Sequence, residues 1–440
     1  MAARVWLRVV VVLACMHGGR TWAVPPRVVF ASPDNADLPV DPETRAIRIT
    51  FDQEMSPGGR SICGGGPSFP EIVGKPYWAD AWTMVVPVRL DAERAYSLSI
   101  NCPAAQNFRS KAGEAAEIYP ISFRTGKPGE QAAALTAKDV EALTNALRRA
   151  IDDHYSYRDL RVRDWDKVFA EAKASFEEAT TASQFARAAV KMLAVAEDVH
   201  LGVVVGDMRL GTYGRAAAAN YDHRAVANLV PKYRAHNARV ATGMFEDGIV
   251  YVQINSWSVE RADEELRPVF EALDTAASAP GIVLDVRANG GGDERKARMV
   301  AARFLTEAKV YSKNRIRNPR AEGGWDGPFD RVAEPCQECE AYRGKVAVLI
   351  GGQCASSNES FIKMMQEAPT RLLFGARTLG SSGRPVRHEI GHGLGVSLPS
   401  WQDMMPNGTL LEGNGIAPDR AVEWKRDGGD AVLEAALVWL

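Results

Sequence analysis

The sequence of 440 residues lacks an excess of either charge. Its 53 lysines and arginines nearly balance its 55 aspartates and glutamates, and the formal net charge is −2. Such a balance gives no reason to expect nucleic acid or an anionic membrane as a partner. Beyond the N-terminal segment there is no apolar run long enough to cross a bilayer. With 46% hydrophobic and 25% charged residues, the chain is predicted to be globular, with two or three domains.

The N-terminal segment has the pattern of an export signal. Arg4 and Arg8 flank the apolar run Val5–Met16, which is too short to span a membrane, and small residues end the segment at Ala23. Residues 1–23 are therefore predicted to be removed on export to the periplasm or the exterior. Two alternatives stay open at this stage: a buried N-terminal strand, and a lipid-attachment box in the "VLAC" sequence that ends at Cys15.

Cysteine is also scarce, with six in the whole chain. If Cys15 leaves with the signal, five remain, so at least one thiol is expected to stay free in an oxidising compartment. Cys336 and Cys339 could form a local disulfide or half of a metal site. Structural zinc would need a second close pair, and the sequence has none.

Short alternating strands between Pro, Gly and Asp clusters predict an all-β sandwich over residues 26–126. The run "VDPETRAIRITFDQEM" and the closing "FRTG" resemble the bacterial Ig-like domains that precede exported enzymes. Cys63 and Cys102 are the only cysteines in this region, and export favours their pairing.

The rest of the chain changes character after a predicted linker at residues 127–135. Residues 136–205 are predicted to be helical, with a capping-box start at Thr136 and a second helix near residues 183–196 that leads to His200. Over residues 206–440 strands and helices alternate, which predicts an α/β domain with a parallel or mixed sheet.

The stretch "HEIGHGLG" at residues 388–395 spells the H-E-x-x-H pattern of a zinc peptidase. Zinc binding by this pattern needs a helix, in which the two histidines share one face. Here three glycines disfavour a helix, and apolar residues or histidines at every second position predict a strand. A zinc peptidase is therefore the least favoured function, and no metal or other cofactor is predicted.

A stronger signal lies in "VAVLIGGQCASSNESFIKMM", which reads as a buried strand, a glycine turn and a helix whose first residues are small and polar. A serine at that junction lies at the positive end of the helix dipole beside free backbone N–H groups, which suits a nucleophile. The simpler interpretation is an N-capping serine.

Four motifs in order strengthen the first interpretation: "DVRANGG", "CASSNE", "GARTLG" and "EGNGIAPD". Together, over roughly residues 136–424, they resemble the serine peptidase family that includes the tail-specific (C-terminal processing) and tricorn-core proteases. The resemblance implies a ClpP/crotonase-like catalytic fold. It makes Ser356 the nucleophile and puts Gly291 and the amide of Ser357 at the oxyanion hole.

The general base divides that family. Tail-specific members use a lysine after the "GARTLG" motif, but no lysine lies between Lys363 and Lys425. The resemblance to the tricorn-like branch makes His200 the base and Glu412 the acidic residue. That branch places a relay hydroxyl next to the histidine, whereas Val199 and Leu201 flank it here, so direct contact with Glu412, help from Asp198 and an imperfect triad stay open.

The predicted function is thus an exported serine peptidase acting on peptides or unfolded proteins, without a PDZ insertion. A polar loop over residues 312–344 is the predicted source of substrate selection. Two alternatives are an inactive binding or scaffold protein on the same fold and an esterase using the same residues. The sequence does not determine the substrate or the oligomeric state.

Overall fold

A computed structural model describes residues 24–102, 104–215, 217–426 and 428–440. They form two compact units that divide between Gln131 and Ala132, inside the stretch predicted as a linker. The predicted export signal and Cys15 lie outside the described residues. In the part of the chain that is described, no helix combines the length and the apolar character needed to cross a membrane.

The first unit contains two antiparallel sheets. Its strands are β1 (Val28–Ser32), β2 (Ala46–Phe51), β3 (Ile62–Cys63), β4 (Glu71–Ile72), β5 (Tyr77–Trp78), β6 (Thr83–Arg89), β7 (Ala95–Ile100) and β8 (Tyr119–Arg124). One sheet has the order β1-β2-β6-β4 with β5 also on β6, and the other has the order β3-β7-β8. In β2, Ile47, Ile49 and Phe51 alternate inward into one hydrophobic core. The predicted all-β character of this unit is confirmed.

The described cysteines form two disulfides and leave one free thiol. Cys63 and Cys102 form a disulfide with their α carbons 6.2 Å apart, as predicted. Cys336 and Cys339 also form a disulfide, which decides between the two alternatives for this pair. Cys354 is the free thiol among the described cysteines, and it is buried.

The second unit opens with helices α1 (Ala137–His154), α2 (Arg158–Arg161), α3 (Trp165–Glu177) and α4 (Ala182–Leu193), followed by a 3₁₀ turn at Ala194–Ala196. The predicted capping box starts α1: Thr136 Oγ1 accepts the Asp139 N–H, and Asp139 Oδ2 accepts the Thr136 N–H. Both predicted helices are therefore present, and the second one delivers the chain to His200.

A seven-stranded mixed sheet forms the centre of this unit, with the order β11-β12-β13-β14-β17-β18-β22. Its strands are β11 (Arg234–Ala235), β12 (Val240–Met244), β13 (Val250–Ile254), β14 (Gly281–Asp285), β17 (Lys345–Ile350), β18 (Arg371–Gly375) and β22 (Arg420–Ala421). The strands from β13 to β22 are parallel, and both faces of the sheet are buried, which explains the near-continuous apolar runs. The helices here are α5 (His223–Leu229), α6 (Ala262–Glu265), α7 (Arg267–Thr275), α8 (Glu294–Ala301), α9 (Ser357–Met365) and α10 (Ala431–Trp439).

Two smaller antiparallel sheets complete the unit. One has the order β10-β9-β20-β19 and is built from β9 (Gly202–Val205), β10 (Met208–Gly211), β19 (Pro385–Gly391) and β20 (Leu394–Pro399). The other has the order β16-β15-β21 and is built from β15 (Lys309–Arg317), β16 (Trp325–Ala333) and β21 (Trp401–Met404).

The third sheet corrects one prediction. Much of residues 312–344, predicted as a polar loop, is the long hairpin formed by β15 and β16. The pairing register shifts between Val310 and Ser312 and again between Asn314 and Ile316. Each irregularity interrupts the two-residue alternation from which a strand is recognised, so the polar sequence resembled a loop.

Candidate active site

Ser356 lies where the buried strand β17 turns into α9, as the sequence predicted. Its backbone has φ 55° and ψ −127°, a conformation that residues with side chains rarely adopt. Such a conformation costs about 1–3 kcal/mol and persists only where neighbouring structure imposes it. Here the Ser356 N–H donates to the Ser381 carbonyl at 2.8 Å and to Glu359 Oε2 at 3.2 Å. The serine is thus held in an uncommon geometry by the segment of Ser381 and by the first turn of its own helix.

Glu359 is the fully buried residue that organises this junction. Besides the Ser356 N–H, its carboxyl accepts the hydroxyl of Thr378, the Gly380 N–H at 2.8 Å and the Ser381 N–H at 3.0 Å. Burial raises the pKa of Glu359 to about 7, although all these donors oppose the shift. The "CASSNE" and "GARTLG" motifs are therefore two halves of one hydrogen-bonded unit.

The glycine run after β14 packs directly on the serine. Gly291 has φ 111°, and a methyl group on its α carbon would lie 2.9 Å from Ser356 Cβ and 3.2 Å from the Ser357 nitrogen. Only glycine satisfies both the backbone angle and this close approach. The Gly291 N–H donates to Asn289 Oδ1 at 2.9 Å, whereas Ser357 is the first residue of α9, where helical N–H groups have no partner within the helix.

His200 enters from the helical segment. Its side chain is 13% exposed, and its Nδ1 lies 3.0 Å from the Ser381 hydroxyl and 3.9 Å from Asp198 Oδ1. Asp198 also accepts the His200 N–H at 2.8 Å. Burial lowers the pKa of His200 below its ordinary value of 6.5; Asp198 opposes this shift and Arg209 adds to it. The imidazole is therefore neutral at neutral pH, as a proton acceptor must be.

Ser381 connects the serine to the histidine. Its carbonyl accepts the Ser356 N–H, and its hydroxyl contacts the His200 ring. Among the residues that the structure describes, no hydrogen bond joins the His200 ring directly to the Ser356 hydroxyl. Ser356 and His200 thus both contact Ser381, and direct contact between their side chains stays a prediction.

Glu412 is almost fully buried and lies close enough to Asp198 to interact with its charge. It forms an ion pair with Arg161, and its Oε2 accepts the Ser382 N–H at 3.0 Å. Burial and the nearby charge of Asp198 raise the pKa of Glu412 to about 8. The carboxylate nearest to the His200 ring is that of Asp198, so of the alternatives left open, the geometry favours help from Asp198.

The network contains two residues whose positions the motifs did not reveal. Tyr155, fully buried at the end of α1, donates its hydroxyl to Asp198 Oδ2 at 2.8 Å. Ser381 directly follows the "GARTLG" motif, where tail-specific proteases have their lysine, and this position was the available signal in the sequence.

The "HEIGHGLG" stretch is not a helix, but the single strand that its periodicity predicted is also not formed. A turn at His392 and Gly393 divides it into the hairpin of β19 and β20. His388 stacks on the ring of His154 with centroids 4.2 Å apart, and His392 Nε2 lies 3.3 Å from Asp139 Oδ1. Across the described residues, no group of three or more His, Cys, Asp or Glu side chains is placed to hold a metal ion.

A cavity of about 740 Å³ opens at Ser356. Ser357 and Ser360 of α9 line it together with Gly292, Ser382 and Trp401. A substrate bound in this space would meet the hydroxyl of Ser356 and the first turn of α9 together. The site therefore combines a strained serine, a neutral imidazole linked to it by Ser381, and a helix N-terminus beside an open cavity.

Known proteins resemble this part of the chain. Residues 248–422 match the model of peptidase family S41. The carboxy-terminal-processing protease of Bartonella bacilliformis is 27% identical over 32% of this chain and 31% of its own length. The carboxy-terminal processing protease CtpB of Bacillus subtilis is 24% identical over 39% of this chain and 34% of its own length. The chain thus matches about a third of the length of these relatives.

A solved structure extends the similarity beyond the matched region. The crystal structure of a candidate peptidase from Parabacteroides merdae has a TM-score of 0.59 and 23% identity. The alignment covers 68% of this chain and 96% of that one, so the two share a fold. In sequence order, the matched region runs from just before β13 through Ser356 and Glu412 to β22. The similarity of this chain to peptidase family S41 therefore rests on residues 248–422, which include Ser356 and Glu412.

Proposed function

We propose that the chain is an exported serine peptidase that hydrolyses peptide bonds with Ser356 as the nucleophile and His200 as the general base. The observation that carries the proposal is the strained Ser356, which packs against the glycine run and connects through Ser381 to a buried, neutral imidazole. An ordinary N-capping serine needs none of these features. The proposed substrate is a peptide or an unfolded protein chain, and the similarity to carboxy-terminal-processing proteases supports a protein substrate.

In the proposed reaction, the Ser356 oxygen bonds to the peptide carbonyl carbon while its proton passes to His200 Nε2. The imidazolium then gives that proton to the leaving amine, and water repeats the sequence to release the acyl group. For this step Nε2 must be free of hydrogen, which requires the proton on Nδ1. The Ser381 hydroxyl, 3.0 Å from Nδ1, is the acceptor that would hold that tautomer.

Asp198 and Glu412 have different roles in this proposal. Asp198 stabilises the imidazolium because it lies closest to the ring and its charge raises the pKa of His200. Glu412, predicted as the acid of the site, acts as a positioning residue that binds Arg161 and the Ser382 N–H. Ser381 thereby takes the place of the relay hydroxyl whose absence beside His200 was the reason to consider an inactive scaffold.

The Ser357 N–H is the principal donor of the proposed oxyanion hole. It lies in the first turn of α9, where the helix dipole also favours negative charge. Gly291 contributes its lack of a side chain, which allows the substrate carbonyl to approach. Its own N–H would have to turn from Asn289 to the oxyanion in order to act as the second donor.

The location and the first unit complete the proposal. We propose that residues 1–23 are an export signal and that the protein works in the periplasm or outside the cell, where the Cys63–Cys102 and Cys336–Cys339 disulfides persist. The first unit is proposed to be an Ig-like sandwich without a chemical role.

The test is labelling with a fluorophosphonate, which reacts with activated serines because its adduct mimics the tetrahedral intermediate. Wild-type protein should label in the presence of a chelator, and Ser356→Ala should not. Ser360→Ala is the matched control, since it removes a hydroxyl one turn along the same helix in the same cavity. Labelling of the Ser356→Ala variant, or activity that a chelator abolishes, would contradict the proposal.

A further inference from the structure

The cavity at Ser356 has an unusual wall of arginines. Arg295 and Arg298 of α8, Arg331 of β16 and Arg384 line it, against only two acidic lining residues, Asp293 and Glu294. Four guanidinium groups against two carboxylates leave an excess of two positive charges along the wall of this open cavity. Charges in a concave site act on a ligand more strongly than charges on a flat surface.

Three of the four arginines have partners within the protein. Arg295 pairs with Asp293 at 2.7 Å, and Arg298 pairs with Glu294 at 3.0 Å. Arg331 pairs with Glu294 and lies 3.3 Å from Asp403, which is buried and also accepts Lys363. These guanidinium groups are therefore held in place, and their charges are partly neutralised.

Arg384 is different. Its side chain is exposed to the cavity, and among the described residues it takes part in no ion pair. Its guanidinium carbon lies 5.5 Å from the centre of the Trp401 ring, and that of Arg331 lies 4.6 Å from the same centre. Two guanidinium groups thus share one indole. Burial lowers the pKa of Arg331, and the positive charge of Arg384 adds to this shift. Repulsion of this kind is relieved when an anion binds.

The backbone holds Arg384 in this position. It has φ 45° between Gly383 and Pro385, and its carbonyl accepts the Ser400 hydroxyl at 2.8 Å. The residue also follows Ser382, whose N–H is bound by Glu412. An uncommon backbone conformation next to the nucleophile therefore directs an unpaired cation into the substrate cavity.

We infer that this cavity selects peptides with an acidic side chain close to the cleaved bond, and that Arg384 is the principal determinant of that preference. The inference rests on the proposed peptidase function. A guanidinium binds a carboxylate with two parallel hydrogen bonds, whereas a carboxamide of the same shape would leave the cation uncompensated. Loss of a charge-assisted hydrogen bond in such a site changes affinity or kcat/KM about tenfold or more.

The experiment uses full-length protein and a set of fluorogenic peptides, amidated at the C-terminus, with Glu or Gln at each position around the cleaved bond. We expect wild type to prefer the Glu peptide at one position by about tenfold in kcat/KM. Arg384→Gln should lose most of this preference, because it should lower kcat/KM for the Glu peptide about tenfold more than for the matching Gln peptide. Arg387→Gln is the matched control, because it removes an exposed arginine three residues away that pairs with Glu389 and does not line the cavity.

A binding measurement separates this inference from the proposed function. Fluorescence anisotropy with Ser356→Ala reports peptide binding without hydrolysis. Tighter binding of the Glu peptide, lost in Ser356→Ala/Arg384→Gln and weakened by salt, supports the inference even if no peptide is ever cleaved. Equal binding and equal cleavage of the Glu and Gln peptides would overturn it and leave the peptidase proposal standing.

A further arm tests the source of the carboxylate. A Gln peptide with a free C-terminus carries its carboxylate on the chain end alone. The assignment to an acidic side chain is wrong if the free C-terminus strengthens binding of the Gln peptide but Glu binds no better than Gln in amidated peptides. If the Glu side chain gives the advantage in amidated peptides, the assignment stands.

Discussion

Two stretches of this chain resemble catalytic motifs, and their surroundings differ. The hairpin at residues 388–395 has two histidines and a glutamate, but they lie along a strand and a turn and have separate partners, His154 and Asp139. The turn at Ser356 has one glutamate, Glu359, yet three distant segments converge on it. They bring Gly291, His200 and Ser381 to this turn.

Burial separates the two regions as well. Glu359 and Asp198 are fully buried, Glu412 is nearly so, and the side chain of His200 is 13% exposed. In the hairpin, the His392 side chain is 40% exposed, and Glu389 is exposed and pairs with Arg387. A titratable group has a strongly shifted pKa only where water is excluded and partners are fixed. The spacing of residues in a motif is therefore a weaker indicator of a catalytic site than the convergence of buried polar groups in space.

The largest expected effect is the loss of activity when the imidazole of His200 is removed, compared with removal of either histidine of the hairpin. His200→Ala should lower kcat by about four orders of magnitude, because no other described side chain is placed to accept the serine proton. His388→Ala and His392→Ala should leave kcat within about twofold of wild type. Steady-state peptide hydrolysis measures all three. A large loss in His388→Ala with an intact fold would show that the hairpin takes part in catalysis.

Removal of Glu359 should have the next largest effect. Glu359→Ala leaves the Gly380 and Ser381 N–H groups and the Thr378 hydroxyl without an acceptor, which should cost about 2–4 kcal/mol of stability and most of the activity. Glu359→Gln keeps one acceptor oxygen and should lose less of both. Thermal unfolding and fluorophosphonate labelling check the prediction, with the exposed Glu389→Ala as the control. Unchanged labelling in Glu359→Ala would contradict it.

A moderate effect is expected on the pH profile. Because the pKa of His200 is lowered by burial, kcat/KM should rise with pH through a midpoint below 6.5. Asp198→Asn removes a charge that raises this pKa, so the midpoint should fall further, and Arg209→Gln removes a charge that lowers it, so the midpoint should rise. Arg387→Gln should leave the midpoint unchanged. Shifts in the reverse directions would remove His200 from the role of base.

The smallest expected effect concerns the hairpin. Burial and the neighbouring His154 lower the pKa of His388, so the folded protein binds this proton less readily than the unfolded chain, whose histidine has a pKa near 6.5. The contribution of the neutral His388 to the stability of the folded protein is thus fully present above pH 6.5, and it is lost as the pH falls through the lowered pKa of the folded state. Melting temperature between pH 8 and 5 should fall less steeply in His388→Phe, which keeps the ring stack. An identical slope would show that this histidine titrates normally.

Local patterns in the sequence were sufficient for several features of the site. The buried strand, the glycine turn and the small polar residues fixed the position of Ser356, because each depends on neighbouring residues alone. Alternation identified the extended character of residues 386–398 for the same reason, but not the turn at His392 and Gly393 that divides them into β19 and β20. The β15–β16 hairpin was missed because its bulges interrupt that alternation.

The links between segments could not be derived in this way. Ser381 contacts a histidine 181 residues away, and Arg161 pairs with Glu412 at a separation of 251 residues. No local pattern encodes such pairs. The position of Asp198 beside the ring, rather than Glu412, was one of several possibilities in the sequence, and it depends on how the helical segment packs against the loop after Gly380.

The sequence by itself determined which residues were capable of catalysis in this protein: the serine at a helix start, the glycine run and the histidine after a helix. It also showed that no lysine could act as the base. These are properties of residue type and short-range pattern. Tertiary structure alone decided which of them meet, that the Ser381 hydroxyl contacts His200, and that Arg384 faces the cavity without a partner. The physical reason is that burial and electrostatic coupling depend on distances in space, and only the folded chain sets those distances.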